Sequence, residues 1–251
     1  MPLTFDDLLA RARSLPRGGR RAILGIAGSP GAGKTTLAEC LVRELNGAGD
    51  PWVAHVPMDG FHLADAELDR LGRRDRKGAP DTFDAAGYAA LLRRLREDAP
   101  GGTAAGGAGS GGAGSGGAGP ADCGETADGG EAVGDTVYAP GFERVLEQPI
   151  AGAVPVPPSA RLIVTEGNYL LLGDGAWARV RSGLDEVWFC ELPEPERIRR
   201  LVARHERFGK SHEDAVAWVL GSDQRNADLV AATRDRADLV VPESAMPVTR
   251  S

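Results

Sequence analysis

Several residue types are scarce in this chain, and their scarcity disfavours certain classes of protein. Lysine occurs only three times, against 26 arginines, in 251 residues. Acidic residues outnumber basic ones, and the net charge is −7. An acidic chain of this kind disfavours general binding to nucleic acid or to a membrane surface. A local cluster of positive charges in such an acidic chain is therefore a candidate site for a negatively charged ligand.

Cysteine and long apolar segments are also scarce. The three cysteines, Cys40, Cys123 and Cys190, are odd in number and far apart. They predict neither a disulfide framework nor a metal site, and they are typical of a reducing cytoplasm. No apolar run approaches the length of a membrane span. The first residues include Asp6 and Asp7 and no apolar core, so we expect no signal peptide and a cytoplasmic location.

Glycine, by contrast, is abundant in one segment. Residues 101–119 contain 11 glycines in 19 positions, and the others are Ala, Ser and Thr. Such a segment has almost no apolar surface to offset the entropy that ordering costs. We therefore predict a disordered surface insertion at 100–135. It interrupts a single domain, 1–251, whose core covers about 20–242.

One complete motif is present. Gly28–Thr35 reads GSPGAGKT and fits the pattern G-x-x-x-x-G-K-[ST] at every position. Backbone N–H groups that wrap a phosphate chain need close approach and sharp turns, which glycine permits. We expect Lys34 to reach the β- and γ-phosphates and the Thr35 hydroxyl to bind Mg²⁺. ATP is expected to contact nine consecutive residues: Gly28, Ser29, Pro30, Gly31, Ala32, Gly33, Lys34, Thr35 and Thr36.

The segments around this loop predict an α/β fold. An apolar strand-like segment at 21–27 precedes the loop, and apolar residues at helical spacing follow over 34–45. Such segments alternate along the chain, which indicates a P-loop NTPase with three α/β/α layers and a mainly parallel sheet. Residues 150–158 predict an edge strand or a loop. Strands are predicted at 21–27, 52–56, 162–165, 186–190 and 238–241, and helices at 4–15, 34–45, 84–97 and 195–207.

Two carboxylates are predicted at the carboxyl edge of this sheet, where ligands bind in such folds. Glu166 follows the strand 162–165. Beside a phosphate loop we interpret it as a Mg²⁺ partner rather than a solvated acid. Asp59 lies in a Met-Asp-Gly-Phe-His turn after the strand 52–56. It is a candidate general base for an attacking hydroxyl, and an ordinary Asp-Gly turn is the alternative.

Four arginines at helical spacing predict one basic stripe on a helix: Arg197, Arg200, Arg204 and Arg207. A mobile lid of this kind supplies donors for the oxygens of a transferring phosphoryl group. The alternative is a solvated face whose charge is balanced by neighbouring glutamates. Because the chain is acidic overall, we favour the lid.

An ordered series of motifs resembles a known superfamily. After the phosphate loop the chain carries Asp-Gly-Phe-His (59–62), Pro-Asp-Thr-Phe-Asp (80–84), Pro-Gly-Phe-Glu-Arg (140–144), Glu-Gly-Asn-Tyr-Leu-Leu-Leu (166–172) and Arg-Arg-Leu-Val-Ala-Arg-His (199–205). In this order they resemble the uridine kinase, phosphoribulokinase and bacterial pantothenate kinase superfamily. Within it the chain most resembles the nucleoside/nucleotide kinase branch. The resemblance covers about 20–242 except for the insertion, and it implies a nucleoside-kinase-like fold.

The resemblance also implies roles in catalysis and metal binding. Lys34 matches the position that binds ATP, and Thr35 matches the Mg²⁺ position. Asp59 matches the general base, and Glu166 matches the acidic Mg²⁺ position. ATP and Mg²⁺ are therefore the expected cofactors.

Further matches concern the lid and the substrate. Arg200 and Arg204 match lid arginines near the transferred phosphate and are assigned to catalysis. His62 falls where uridine kinases carry a substrate-contacting tyrosine, and Phe142 falls near a second aromatic wall. Asn168 is assigned to the same substrate site.

The resemblance implies an ATP-dependent kinase that phosphorylates a hydroxyl of a small metabolite, without nucleic-acid or membrane partners. A homo-oligomer stays open. A nucleoside is the first candidate acceptor. Uridine kinases, however, hold the ribose with an aspartate three residues before the proline matched by Pro80, where this chain has Lys77 or Gly78. A sugar or a pantothenate-like alcohol therefore stays open. A non-catalytic, regulatory ATP-binding protein is the alternative that Asp59, Glu166 and the arginine stripe argue against.

Overall fold

A computed structural model describes residues 2–49, 51–98 and 135–247 of the chain. The predicted insertion at 100–135 lies outside these ranges apart from Asp135, and Cys123 lies outside them too. No helix within the described ranges is both long enough and apolar enough to cross a membrane.

Seven strands lie in the described ranges: β1 (Ala22–Ala27), β2 (Val53–Pro57), β3 (Val137–Glu143), β4 (Gln148–Val156), β5 (Leu162–Glu166), β6 (Glu186–Cys190) and β7 (Leu239–Val241). Five of them form one parallel sheet in the order β2-β5-β1-β6-β7. All residues of β1 are buried, as expected for a central strand covered on both faces. The predicted parallel sheet is confirmed.

The described helices are α1 (Phe5–Arg13), α2 (Lys34–Asn46), α3 (Asp65–Arg70), α4 (Ala85–Glu97), α5 (Gly175–Ser182), α6 (Glu194–Arg207), α7 (His212–Trp218) and α8 (Gln224–Ala231). One apolar core contains side chains of α4 and α5, and a second contains side chains of α1 and α2. The sheet contributes to both cores, since its strand residues alternate between two faces. This arrangement is the predicted α/β/α sandwich.

The remaining strands, β3 and β4, form an antiparallel hairpin of their own. The prediction of an edge strand or loop at 150–158 is therefore correct for a strand, but the strand belongs to a separate two-stranded sheet. Only Val137, Ala139, Gly141 and Val156 of the hairpin are buried. The hairpin packs on the 3₁₀ turn Met58–Phe61, which follows β2. It therefore covers the carboxyl edge of the main sheet.

Candidate active site

The phosphate loop connects β1 to α2 and packs against α6. Gly31 has a φ of 83°. A Cβ there would lie 2.8 Å from Leu201 Cγ and 3.1 Å from the Arg197 carbonyl oxygen. Glycine therefore lets the loop turn this close to α6. Since α2 begins at Lys34, its unpaired N–H groups open into the loop, as in helix N-termini that bind phosphate.

Lys34 closes the loop from the inside. Its ammonium donates to the Ser29 carbonyl oxygen at 3.1 Å, and the residue is buried. Burial lowers the pKa of Lys34, and the negative charge of Glu166 opposes this shift. An ammonium has three donors and this carbonyl takes one, so donors are left for phosphate oxygens. The loop therefore fits a phosphate chain such as that of ATP.

Thr35 and Glu166 form the candidate metal position. Thr35 Oγ1 donates to Glu166 Oε1 at 3.1 Å. Burial raises the pKa of Glu166, and the nearby Asp59 carboxylate raises it further. Within the described residues, no cluster of three or more His, Cys, Asp or Glu side chains could hold a metal by itself. A hydroxyl and one carboxylate suit Mg²⁺ that is also held by phosphates and water.

Two cavities meet at the phosphate loop. The larger, of about 720 Å³, lies between the loop and α6 and is called the α6 cavity; its own lining includes Thr36, Glu39, Arg200 and Arg207. The smaller, of about 190 Å³, lies beside the end of β3 and is called the hairpin cavity. The residues that line it and not the α6 cavity include Asp59, His62, Phe83, Phe142, Asn168 and Asn226. Five residues line both cavities and define the junction: Gly31, Lys34, Thr35, Arg144 and Arg204.

Asp59 lies beside this junction. The 3₁₀ turn after β2 carries it, and its side chain is one-third exposed. Arg144 Nη2 lies 4.0 Å from Asp59 Oδ2. A carboxylate that lines the hairpin cavity next to the phosphate loop has the geometry to accept a proton from a bound hydroxyl.

The predicted substrate residues His62, Phe142 and Asn168 all line the hairpin cavity. The His62 ring stacks on Phe83 with 3.9 Å between centroids and lies 5.1 Å from the Phe142 ring. Burial lowers the pKa of His62 to about 4. His62 is therefore neutral at pH 7, and it adds an aromatic surface but no positive charge to the cavity.

The basic stripe predicted on α6 is divided in the structure. Arg197 is buried and donates to Gln224 of α8. The turn of α6 that carries Arg197 packs against Gly31 of the phosphate loop, and the Arg197 side chain is only 4% exposed. Of the four arginines predicted on one stripe, Arg197 is thus buried against α8, and the other three line the α6 cavity.

Arg200 and Arg204 also differ from each other. Arg200 donates to Glu196 Oε1 at 2.7 Å and to Glu243 Oε1 at 2.9 Å, and it lines only the α6 cavity. Arg204 lines both cavities. The structure therefore brings Arg204 together with Lys34 at the junction but leaves Arg200 outside it.

The stretch where the uridine kinase pattern fails has a structural role. Lys77 donates to Asp65 Oδ1 at 2.7 Å and to the Glu147 carbonyl oxygen at 2.5 Å. Its ammonium also lies 5.7 Å from the centroid of the Phe142 ring. Lys77 thus ties the hairpin to α3. Of the two positions that the resemblance matches to the ribose-binding aspartate, Lys77 contacts the hairpin and Gly78 lines the hairpin cavity.

Comparison with known proteins finds relatives among P-loop kinases. The chain is 30% identical over 191 residues to an ATP-dependent kinase-like protein of Aspergillus versicolor, covering 74% of this chain and 93% of that protein. A crystal structure from Silicibacter sp. TM1040, provisionally named a fructose transport system kinase, is 32% identical with a TM-score of 0.75. The match covers 96% of this chain and all of that one. The chain belongs to the P-loop kinase superfamily of uridine kinases, phosphoribulokinases and bacterial pantothenate kinases.

This kinase is also 26% identical over 247 residues to a Schizosaccharomyces pombe protein that is provisionally named a uridine kinase. That match covers 96% of the kinase and 91% of the yeast protein. No protein-family model matches the sequence.

Three polar or charged residues of the hairpin cavity were given no role from the sequence. Arg144 belongs to the Pro-Gly-Phe-Glu-Arg motif, but no local pattern indicates that it faces Asp59. Asp223 and Asn226 line the hairpin cavity from a π-helical turn and from α8. Asp223 is held by His205 Nε2 at 2.9 Å. Their three-residue spacing places both on one helix face and is the signal that the sequence carries.

Proposed function

We propose that the kinase transfers the γ-phosphoryl group of ATP to a hydroxyl of a small, uncharged, polyhydroxylated metabolite. The separation of charge between the two cavities carries this proposal. Among the described residues that line the hairpin cavity, the lysine and arginines all belong to the junction: Lys34, Arg144 and Arg204. The rest of the lining consists of carboxylates, amides, aromatic rings and small residues.

This lining favours a neutral acceptor. Asp223, Asn168 and Asn226 offer hydrogen-bonding atoms for hydroxyl groups. An acceptor carboxylate would instead lie close to Asp59 and Asp223, where like charges repel. The pantothenate-like alternative, which carries a carboxylate, is therefore the less supported one.

A nucleoside is the first candidate acceptor and a sugar is the second. The relation to uridine kinases supports a nucleoside. Three observations support a sugar. The hairpin cavity is small, at about 190 Å³. The ring of Phe142 is already contacted by His62 and Lys77. The similar Silicibacter protein is named for a fructose transport system.

In the proposed reaction, the acceptor oxygen attacks the γ-phosphorus while Asp59 takes the hydroxyl proton. The bond between the γ-phosphorus and the β,γ-bridging oxygen breaks, and ADP leaves with that electron pair. Lys34 and Arg204 hold the negative oxygens of the transferring group. Thr35 and Glu166 would hold Mg²⁺, which supplies neutralising charge when bound.

The test is a panel of nucleosides, neutral sugars and pantothenate, read by ADP formation with Mg-ATP. We expect a neutral member to be phosphorylated. Asp59→Asn should keep ATP binding and lower kcat about 10³-fold, since it removes the general base. The matched control is Asp235→Asn, whose carboxylate is almost fully exposed. A fully active Asp59→Asn variant would show that the base is assigned to the wrong residue.

A regulatory ATP-binding protein is the alternative from another class. It would bind Mg-ATP without any acceptor-stimulated release of ADP. If the wild-type protein binds Mg-ATP tightly and phosphorylates no member of the panel, this alternative gains support and the kinase reaction proposed above loses it.

A further inference from the structure

Arg144 is the one junction residue that the hairpin supplies. The other four belong to the phosphate loop, α2 or α6. A phosphoryl group that passes from a nucleotide in the α6 cavity to an acceptor in the hairpin cavity must cross this junction. Arg144 therefore lies beside the path of the transferred group, although no role is assigned to it above.

The position of Arg144 is set by the close packing of the hairpin. It directly follows β3, whose Gly141 lies next to Gly60 in the turn that carries Asp59. A Cβ on Gly60 would be 2.3 Å from the Pro140 carbonyl oxygen, so glycine is required for this approach. On the other side, Lys77 holds the Glu147 carbonyl. These contacts on both sides keep the base of the hairpin loop near Asp59.

The guanidinium of Arg144 is nevertheless held loosely. Its side chain is 47% exposed, and its ion pair with Asp59 is long, at 4.0 Å. Arg200, in contrast, is engaged by two carboxylates at 2.7 and 2.9 Å. An arginine with a long, solvated ion pair is easily transferred to a stronger partner, and a phosphate is such a partner because it accepts two parallel hydrogen bonds.

We propose that Arg144 is a catalytic residue that leaves Asp59 and binds the γ-phosphoryl group during transfer. This inference rests on the proposed kinase reaction and adds a residue to it. In the free protein, the guanidinium of Arg144 lies 4.0 Å from the Asp59 carboxylate. When its guanidinium turns to the phosphoryl oxygens, the Asp59 carboxylate is free to take the acceptor proton, while the new bond to phosphorus forms and the bond to ADP breaks. Binding of ATP thereby makes the Asp59 carboxylate available as the general base.

Two substitutions test this role. Arg144→Met should lower kcat about 100-fold and change both KM values less than about threefold, because the lost contact acts on the transferring group. Arg144→Lys should recover part of kcat, since an ammonium keeps the charge but not the two-pronged geometry. The matched control is Arg179→Met, which removes an exposed arginine of α5 that lines neither cavity. Circular dichroism and thermal unfolding should be the same for all variants.

A binding measurement provides a readout that needs no acceptor. MgADP with aluminium fluoride imitates the transferring phosphoryl group. Arg144→Met should weaken binding of this complex at least about tenfold while leaving binding of MgADP alone within about threefold. A purely structural role would change both affinities together.

Three results would overturn the inference: an unchanged kcat in Arg144→Met, a selective rise in acceptor KM, or equal affinity for the aluminium fluoride complex. The second would mean that Arg144 binds the acceptor. If the wild-type protein phosphorylates no acceptor, the proposed function fails separately. The aluminium fluoride measurement then still decides whether Arg144 contacts the phosphoryl position.

Discussion

The two cavities of this kinase are assembled in different ways. The phosphate-loop side of the α6 cavity comes from one continuous stretch, 31–39, and the rest of its lining comes from Arg144 and from 200–208. Apart from Pro30 and the junction residues, the hairpin cavity collects residues from five separate parts of the chain, represented by Asp59, Gly78, Phe142, Asn168 and Asn226. A single loop is shaped by local backbone requirements. Five segments meet only after the sheet, the hairpin and α8 have packed together. The phosphate-loop side of the proposed nucleotide site is thus local in sequence, whereas the proposed acceptor site is a product of tertiary structure.

The largest expected effect concerns the proposed nucleotide site. Lys34→Met should lower kcat/KM for ATP about 10³-fold, because the ammonium is expected to bind the β- and γ-phosphates and to stabilise the transferring group. Isothermal titration calorimetry measures the binding of Mg-ATP, and the rate of ADP formation gives kcat/KM. Lys210→Met is the matched control, since Lys210 lies over the Trp218 ring and lines neither cavity. A loss confined to acceptor affinity would break the division between the cavities.

A second prediction concerns pH and the acceptor half. The pKa of His62 is about 4 in the folded protein, below its ordinary value of 6.5. Between these values the unfolded chain binds the proton more strongly. His62 therefore lowers stability as the pH falls from about 6.5 towards 4, and it has no such effect above that window. His55, also buried with a pKa of about 4, acts in the same direction.

His62→Phe should accordingly reduce the loss of unfolding free energy between pH 7 and pH 5 by about 2 kcal/mol. Urea unfolding at pH 7 and at pH 5 measures this change in unfolding free energy. The part of the pH dependence that His55 causes should remain in the variant. The control is His212→Gln, at a histidine that is 76% exposed. The same pH dependence in His62→Phe and in the wild type would show that His62 is not held neutral by burial.

The smallest expected effect tests the acceptor half directly. Asn226→Ala should raise the acceptor KM about fivefold and leave the KM for ATP unchanged, since one hydrogen bond to a neutral hydroxyl contributes about 1 kcal/mol. Steady-state kinetics with the acceptor found in the panel measures both constants. Leu229→Gln, on an exposed side chain of the same helix, is the control. A rise in the KM for ATP would mean that the two cavities are not separate.

The sequence predicts the main sheet well. All five apolar segments interpreted as its strands form strands within it, because buried parallel strands require short apolar runs. The hairpin and α5 were harder to infer. β4 contains Pro149, Pro155 and exposed apolar residues, so it shows no clear alternation, and its pairing with β3 depends on tertiary contacts.

The candidate site shows the same limit. Helical spacing predicts that Arg200 and Arg204 share a face, but packing against the phosphate loop and the pairing of Arg200 with Glu196 and Glu243 decide which of them reaches the junction. The spacing of residues along a helix defines the direction of each side chain around the helix axis. It does not define which neighbouring element covers each turn.

The sequence by itself determined the phosphate loop, the parallel sheet and the membership of a kinase superfamily, because each follows from local backbone demands or from motifs in a defined order. Only the tertiary structure decided what surrounds the acceptor. The contact between Gly60 and Pro140 and the bond from Lys77 to the hairpin bring Arg144 to within 4.0 Å of Asp59. Residues 85 positions apart become neighbours through packing, which no local pattern in the chain encodes.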